Sequence, residues 1–289
     1  MLNGIFTAIV TPFNEDGSLD FKSLDRLIEF QIESGIDGIV PVGTTGESPT
    51  LSLEEHIHVI QRTCNTVNKR TIVIAGAGSN NTNEAIKLAN AALEAGADAT
   101  LQVAPYYNKP TQEGFYRHYI KVADEVALPH IIYNIPSRTG KNIEVDTIIK
   151  MAGHPNIIGI KEASGSIMQM MQIIEKTPKD FFVLSGDDGI TLPLIATGGT
   201  GLISVSSNLF PALMKDFVHS GLRGDFYSMK DLNYRLQPLF RMMNIEQNPI
   251  PIKTALAINR YVKEVFRLPI CELIPENRKK LEEFLTKFE

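Results

Sequence analysis

The chain has 289 residues, of which 43% are hydrophobic and 21% charged, with a formal net charge of −5. This composition is typical of a globular protein with a large core, built as one big α/β domain or two smaller ones. Because there is no Lys/Arg cluster and no long apolar run, we expect neither nucleic acid nor a membrane as a partner. Two cysteines, Cys64 and Cys271, and a start unlike a signal peptide predict a cytoplasmic setting without a disulfide.

Eight apolar, strand-like runs recur along the chain, separated by segments with helical periodicity. Asp20, the Ser52-Leu53-Glu54-Glu55 capping box and Asn81 predict helix starts, and Gly35 and Gly96 predict helix ends. This alternation predicts an α/β fold, a (β/α)8 TIM barrel. An open doubly wound sheet is the alternative, but its Gly-x-Gly-x-x-Gly fingerprint is absent after the first strand. The eight runs are Gly4–Val10, Gly38–Gly43, Thr71–Gly78, Ala99–Tyr106, His130–Pro136, Ile157–Ser164, Phe181–Asp188 and Gly201–Asn208.

More residues follow the eighth strand than one closing helix needs. They indicate helices over Phe226–Asn244, Lys253–Val265 and Glu276–Lys287, with breaks at Pro249-Ile250-Pro251 and Pro269. We therefore predict a barrel domain with the active site over residues 1–224. A C-terminal helical domain over residues 225–289 is expected to pack on it.

The apolar run Ile157–Ile160 ends abruptly in a cation, Lys161. Such a run predicts a strand that is buried on both faces, where an unpaired ammonium group is costly. Lys161 then reaches solvent, pairs with Glu162, or has a lowered pKa. In the third case its neutral amine can attack a carbonyl and form a Schiff base. This stretch alone leaves all three open.

Other polar residues lie at the predicted strand ends, where barrel enzymes carry their active sites. The Gly43-Thr44-Thr45-Gly46 turn suits a carboxylate, although it also fits an ordinary strand-to-helix connection. Tyr133 closes the strand before that of Lys161 and is either a proton relay or a core aromatic. Arg138 offers a planar fork for a carboxylate, or is a solvated loop arginine. A metal site at Glu162, Asp187 and Asp188 is the rival interpretation, and we do not expect it because no histidine lies at these ends.

Four motifs, in matching order and spacing, resemble the 4-hydroxy-tetrahydrodipicolinate synthase (dihydrodipicolinate synthase) family. The resemblance runs from Thr7 to the Pro-Ile-Pro region and implies a barrel with a C-terminal helical domain, usually a homotetramer built as a dimer of dimers. It implies a lyase that condenses pyruvate with aspartate semialdehyde in lysine and diaminopimelate biosynthesis, with no metal or organic cofactor. The motifs are Gly43-Thr44-Thr45-Gly46-Glu47, Tyr133-Asn134-Ile135-Pro136-Ser137-Arg138-Thr139-Gly140, Gly159-Ile160-Lys161-Glu162-Ala163 and Asn248-Pro249-Ile250-Pro251-Ile252-Lys253.

Carried over motif by motif, the resemblance implies that Lys161 forms the Schiff base with pyruvate and that Tyr133 donates and accepts protons. Thr44 and Tyr107 would complete a proton relay, with Tyr107 lent by the neighbouring subunit. Thr45, with Thr44, would hold the carboxylate of pyruvate. The remaining substrate contacts would be Arg138, on the carboxylate of aspartate semialdehyde, and Ile203 and Gly186, lining the pyruvate pocket.

Lysine-inhibited members of the family carry an inhibitor site at a dimer interface. Leu53 departs from that pattern, since feedback-sensitive members often have a polar residue there. We expect lysine to inhibit, with weaker binding, and the absence of any effect at millimolar lysine would contradict this. The residues that match the pattern are Ser48, His56, Asn80, Glu84 and Tyr106.

N-acetylneuraminate lyase and the 2-keto-3-deoxy sugar-acid aldolases share the lysine, the tyrosine and the glycine-threonine turn. Arg138 and the Tyr106-Tyr107 pair favour the synthase, because a short acidic aldehyde needs a nearby cation. A non-catalytic, ligand-sensing barrel is the remaining alternative. Such a protein is expected to lose Lys161 or Tyr133, and both are present.

Overall fold

The computed structural model describes residues 2–288, and within them eight parallel strands form a closed barrel in sequence order. The barrel closes where Phe6 pairs with Ile203. The predicted (β/α)8 barrel is confirmed. Each strand ends two or more residues earlier than predicted, because the last residues of each predicted run already belong to the loop that follows. The strands are β1 (Gly4–Ala8), β2 (Gly38–Val40), β3 (Ile72–Gly76), β4 (Ala99–Val103), β5 (His130–Asn134), β6 (Ile157–Glu162), β7 (Phe182–Ser185) and β8 (Gly201–Ser204).

Helices surround the barrel and begin where the sequence signals predict. The Asp20 side chain accepts from Ser23 N, and the Ser52–Glu55 capping box forms in full. Two helices, α5 and α9, were not predicted, and both begin with a proline, which is tolerated there because the first N–H groups of a helix have no partner. The helices are α1 (Phe21–Glu33), α2 (Leu53–Val67), α3 (Thr82–Glu94), α4 (Gln112–Glu125), α5 (Pro136–Thr139), α6 (Val145–Met151), α7 (Ile167–Lys176), α8 (Thr191–Ala196) and α9 (Pro211–Leu222).

Three more helices follow, α10 (Phe226–Met242), α11 (Ile250–Ile258) and α12 (Pro275–Leu285). The predictions for α10 and α12 are confirmed, but the helix predicted from Lys253 was wrong at both ends. Its first turn contains Pro251, which starts the helix instead of breaking it. The predicted domain boundary falls in the turn between α9 and α10, and the division into two domains stays a prediction.

The C-terminal helices pack on the barrel through one shared apolar core. Leu236 and Leu256, from α10 and α11, belong to the same buried cluster as Ile5 and Ile39 of the first two strands. This packing brings the segment between α10 and α11 over the carboxyl edge of the barrel. No helix among residues 2–288 is both long and apolar enough to cross a membrane.

Candidate active site

Lys161 is the centre of the site. It lies near the end of β6, is 6% exposed, and pairs in register with Tyr133 of β5. Its Nζ lies 4.2 Å from the centroid of the Tyr133 ring. Glu162 is oriented differently, since neighbouring strand residues face opposite sides, and accepts from Asn134 Nδ2 at 2.9 Å and from Ser164 N at 2.6 Å. Lys161 is therefore neither solvated nor paired with Glu162.

Gly186 gives the Lys161 side chain its space. A Cβ at this position would lie 3.0 Å from Lys161 Cε and 2.7 Å from the Cβ of Ala163. The contact with Ala163 is shorter than real Cβ contacts, and the contact with Lys161 is tight, so a larger residue would push against both side chains. This accounts for a glycine at the end of β7.

The Gly43-Thr44-Thr45-Gly46 turn, called the threonine turn below, lies beside Lys161. Thr44, Thr45, Tyr133 and Lys161 line one cavity of about 210 Å³ at the carboxyl edge of the barrel. The Thr45 hydroxyl accepts a hydrogen bond of 3.0 Å from Asn248 Nδ2, which leaves its own proton free for a ligand. The cavity therefore combines an amine, a phenol and two hydroxyls, the groups needed to hold a small keto acid.

A buried ion pair holds Glu47, the residue that directly follows the threonine turn. Lys253 Nζ donates to Glu47 Oε1 at 2.6 Å, and neither side chain is exposed. The ammonium lies 4.1 Å from the centre of the Phe13 ring, and Arg267 N donates to Glu47 Oε2. Burial lowers the pKa of Lys253 to about 8, and the attraction of Glu47 opposes this. Sequence reasoning missed this pair because its members are 206 residues apart, although each lies in a quoted motif.

Arg267 also binds Glu55 through two hydrogen bonds of 2.6 Å. These bonds lower the pKa of Glu55 to about 2 from a usual 4.5. A carboxyl whose pKa is depressed on folding stabilises the protein above its unfolded pKa, and this contribution is lost as the pH falls towards the folded value. Glu55→Gln should therefore lower the urea midpoint of unfolding at pH 6 and lower it less at pH 3. The exposed Glu54→Gln is the control, and an equal loss at both pH values would contradict the assignment.

Arg138 reaches the cavity from α5. Its Nη2 donates to the Asn248 carbonyl at 3.0 Å, and the Gln247 side-chain oxygen, turned towards the guanidinium, accepts from Nη1 and Nη2 at 3.1 and 2.6 Å. Loss of water around the guanidinium lowers the pKa of Arg138, while the Tyr133 phenol opposes the shift. An arginine stays charged under these conditions. The site therefore has a fixed cation at one end.

Two predicted site residues do not lie in this cavity. Tyr107 is 89% exposed, on a loop where its own backbone is left-handed, with φ of 69°. Ile203 is fully buried in the barrel interior, in the same apolar cluster as Tyr133. Apolar residues that do line the cavity are Ala8, Val40, Leu101, Ile135, Ala163, Val205 and Met243. Sequence reasoning also missed Asn248 as a site residue.

A second cavity of about 320 Å³ lies next to the first and shares Thr44 and Arg138 with it. Ser79 Oγ donates to Glu84 Oε2 at 2.6 Å at its edge. Burial lowers the pKa of His56, whose Nε2 lies 2.7 Å from the Gly76 carbonyl oxygen, so the ring is neutral and donates there. Asn80 is not in the wall but donates to the Tyr106 carbonyl at 3.1 Å. The predicted inhibitor residues in the wall are Ser48, His56, Glu84 and Tyr106.

Two of the three rival metal ligands, Asp188 and Glu162, already accept hydrogen bonds from neighbouring side chains. Asp188 Oδ2 accepts from Ser206 N at 2.9 Å and from its hydroxyl at 2.6 Å, and Glu162 is held by Asn134. Across residues 2–288, no group of three or more His, Cys, Asp or Glu side chains could hold a metal ion.

Comparison with known proteins shows the family of the chain. The model of the dihydrodipicolinate synthetase family matches residues 1–288. A curated relative from Hydrogenobaculum sp. (strain Y04AAS1), named 4-hydroxy-tetrahydrodipicolinate synthase, is 50% identical over 100% of this chain and 99% of its own length. The crystal structure of dihydrodipicolinate synthase from Aquifex aeolicus superposes with a TM-score of 0.98, at 46% identity over 99% of this chain and 98% of that chain.

A second similar structure was solved with pyruvate bound. The chloride-inhibited dihydrodipicolinate synthase from Acinetobacter baumannii, complexed with pyruvate, is 43% identical with a TM-score of 0.97, over 99% of this chain and 98% of that chain. Family match, sequence identity and superposition each extend over nearly the full length. The chain belongs to the dihydrodipicolinate synthetase family.

Proposed function

We propose that this chain condenses pyruvate with L-aspartate 4-semialdehyde to give 4-hydroxy-tetrahydrodipicolinate, in lysine and diaminopimelate biosynthesis. In this proposal the chain is a lyase that works through a Schiff base. Two relatives that match 99 to 100% of this chain are named 4-hydroxy-tetrahydrodipicolinate synthase. The observation that carries the proposal is the enclosed Lys161 beside Tyr133, in a cavity with threonine hydroxyls and Arg138. The sugar-acid aldolases and N-acetylneuraminate lyase fit this cavity less well, because its fixed cation suits a short acidic acceptor.

Pyruvate binds first in this proposal. Thr44 and Thr45 hold its carboxylate, and the side-chain nitrogen of Lys161 attacks the keto carbon. Tyr133 supplies a proton to the carbinolamine oxygen, which leaves as water, and the imine forms. Tyr133, which has given up its proton, takes a methyl proton, and the resulting enamine carbon attacks the aldehyde, whose oxygen is protonated to a hydroxyl. The acceptor's own amino group then adds to the imine carbon and displaces Lys161, which closes the ring and frees the enzyme. The imine itself takes up the electron pair, so the proposed reaction uses no metal or organic cofactor.

Arg138 selects the acceptor in this scheme, because its guanidinium pairs with the acceptor carboxylate. Arg138→Ala should lower kcat/KM for aspartate semialdehyde by about 100-fold or more. Trapping of the pyruvate imine by borohydride should persist, since Lys161 and the threonines are intact. Arg138→Lys keeps the positive charge but loses the planar fork, so its kcat/KM for aspartate semialdehyde should lie between those of the wild type and the alanine variant. Loss of imine trapping in the alanine variant would contradict the separation of the two roles.

The proposal includes a homotetramer, built as a dimer of dimers, in which a neighbouring copy lends Tyr107 to the relay from Tyr133 and Thr44. Two observations support this role. The large aromatic side chain of Tyr107 is 89% exposed, as expected of a residue that is covered by a neighbouring copy. Its loop is held in place by Asn108 Nδ2, which donates to the Asn80 carbonyl at 2.9 Å. The proposed cytoplasmic setting is supported by Cys64 and Cys271, which are both free thiols.

Feedback by L-lysine belongs to the proposal and is assigned to the second cavity. Glu84 accepts a hydrogen bond from Ser79 with one carboxylate oxygen, so the other oxygen can accept from an ammonium group. Leu51 and Leu53 provide an apolar wall for the aliphatic chain of lysine. Thr44 and Arg138 belong to both cavities, so an occupant of one contacts residues of the other.

Glu84→Gln tests this assignment. The variant should require about 10-fold more L-lysine for half-inhibition, because a charge-assisted hydrogen bond is lost. Initial rates at increasing L-lysine measure the effect. Glu94→Gln, at the exposed C-terminal end of α3, serves as the matched control. Unchanged inhibition in the Glu84 variant would show that lysine acts elsewhere.

A further inference from the structure

We propose that Asp187 and Asp188 bind the ammonium group of aspartate semialdehyde while Arg138 binds its carboxylate. The inference rests on the proposed function and names the part of the site that recognises the amino acid. The acceptor carries both charges on one carbon, so its site needs an anion and a cation roughly 8 Å apart, with a hydrogen bond of about 2.8 Å on each side.

These groups lie around one cavity. Arg138 follows β5, Lys161 lies near the end of β6, and Asp187 follows β7, in the order in which the strands pair. Neighbouring strands lie about 4.8 Å apart, so the backbone ends of β5 and β7 are roughly 9 to 10 Å apart, which leaves room for one small amino acid between the loops that follow them. All of these residues line the same cavity, and Asp187 and Asp188 are the only carboxylates among its described lining residues.

Both aspartates have an oxygen to spare. Asp187 is exposed, and its Oδ1 accepts from Gly189 N at 2.8 Å, while Oδ2 has no hydrogen-bond partner within residues 2–288. Asp188 is only 8% exposed, and Ser206 holds its Oδ2. The Ser204 hydroxyl lies close enough to oppose the rise in the pKa of the carboxyl that burial causes, but Oδ1 has no hydrogen bond of good geometry in the described chain. A buried carboxylate oxygen without a partner is costly, which points to a ligand that supplies the missing donor.

Asn248 adds a third acceptor. Its amide nitrogen donates to Thr45 and its carbonyl accepts from Arg138, but its side-chain Oδ1 has no partner in the described residues. An ammonium group has three N–H donors and no acceptor. The cavity therefore offers three acceptors without partners, as many as the N–H donors of one ammonium group. Burial raises the pKa of Asp188, and a bound cation would favour its charged form.

Succinate semialdehyde is the probe that isolates this contact, since it has the aldehyde and the carboxylate but no ammonium group. In Asp187→Asn and Asp188→Asn, kcat/KM for aspartate semialdehyde should fall by about 10- to 100-fold. The inhibition constant of succinate semialdehyde, measured in competition with aspartate semialdehyde, should change by less than about 3-fold. Borohydride trapping of pyruvate should persist in both variants and shows that the imine site is intact. Asp231→Asn, on the exposed surface of α10, is the matched control.

Two outcomes would overturn the inference. One is an unchanged kcat/KM for aspartate semialdehyde in both aspartate variants. The other is an equal loss for aspartate and succinate semialdehydes, which would make the aspartates structural. A wild-type protein that trapped pyruvate but did not consume aspartate semialdehyde would instead overturn the proposed function, and the inference with it.

Discussion

Replacing Lys161 by alanine should abolish trapping of pyruvate by borohydride and lower kcat by at least about 1,000-fold, equivalent to about 4 kcal/mol of transition-state stabilisation. The reason is that Lys161 is the lysine enclosed beside Tyr133, and no other lysine lines the cavity among the described residues. Mass spectrometry of the reduced protein measures the adduct, and peptide mapping locates it.

Lys230→Ala is the control for this experiment, since Lys230 lies on the surface of α10 and its side chain is half exposed. It should keep full labelling and full turnover. Undiminished labelling of the Lys161 variant would mean that another lysine carries the imine, and the assignment of the site would have to be abandoned.

The largest loss of stability should come from Lys253→Met. Removing one member of a buried pair leaves Glu47 charged and unpaired, which costs about 3 to 5 kcal/mol of the free energy of unfolding. Turnover should fall as well, because Glu47 follows directly on the turn that carries Thr44 and Thr45. Urea unfolding measures the first effect, and steady-state rates at saturating pyruvate measure the second.

The double variant Lys253→Met with Glu47→Gln separates charge from packing. It should recover part of the lost stability, since no charge is then left without its partner. A double variant whose loss equals the sum of the two single losses would show that the two side chains are not coupled.

The barrel and its catalytic lysine could be predicted because they depend on local signals. Alternating apolar runs and helix caps predicted eight strands and most helices, and a cation at the end of a buried strand singled out Lys161. The resemblance supplied the roles of Tyr133 and Thr45, which the pattern alone left open. In the structure both residues line the cavity with Lys161.

What the sequence could not provide depends on contacts between distant segments. The Glu47–Lys253 pair and the bond from Asn248 to Thr45 join residues more than 200 positions apart. Ile203 packs inside the barrel in the same apolar cluster as Tyr133, and its place at the pocket wall stays a prediction. The predicted break at Pro251 failed because a proline in the first turn of a helix loses no hydrogen bond.

The proposed acceptor is tested most directly by pyruvate consumption of the purified protein with aspartate semialdehyde, beside parallel reactions with N-acetylmannosamine and glyceraldehyde. The cavity with Arg138 at one end and the two aspartates at the other predicts consumption that depends on aspartate semialdehyde alone. Turnover with either of the other two acceptors instead would contradict the proposed roles of Arg138 and the aspartates. Absence of turnover with all three would support the ligand-sensing alternative.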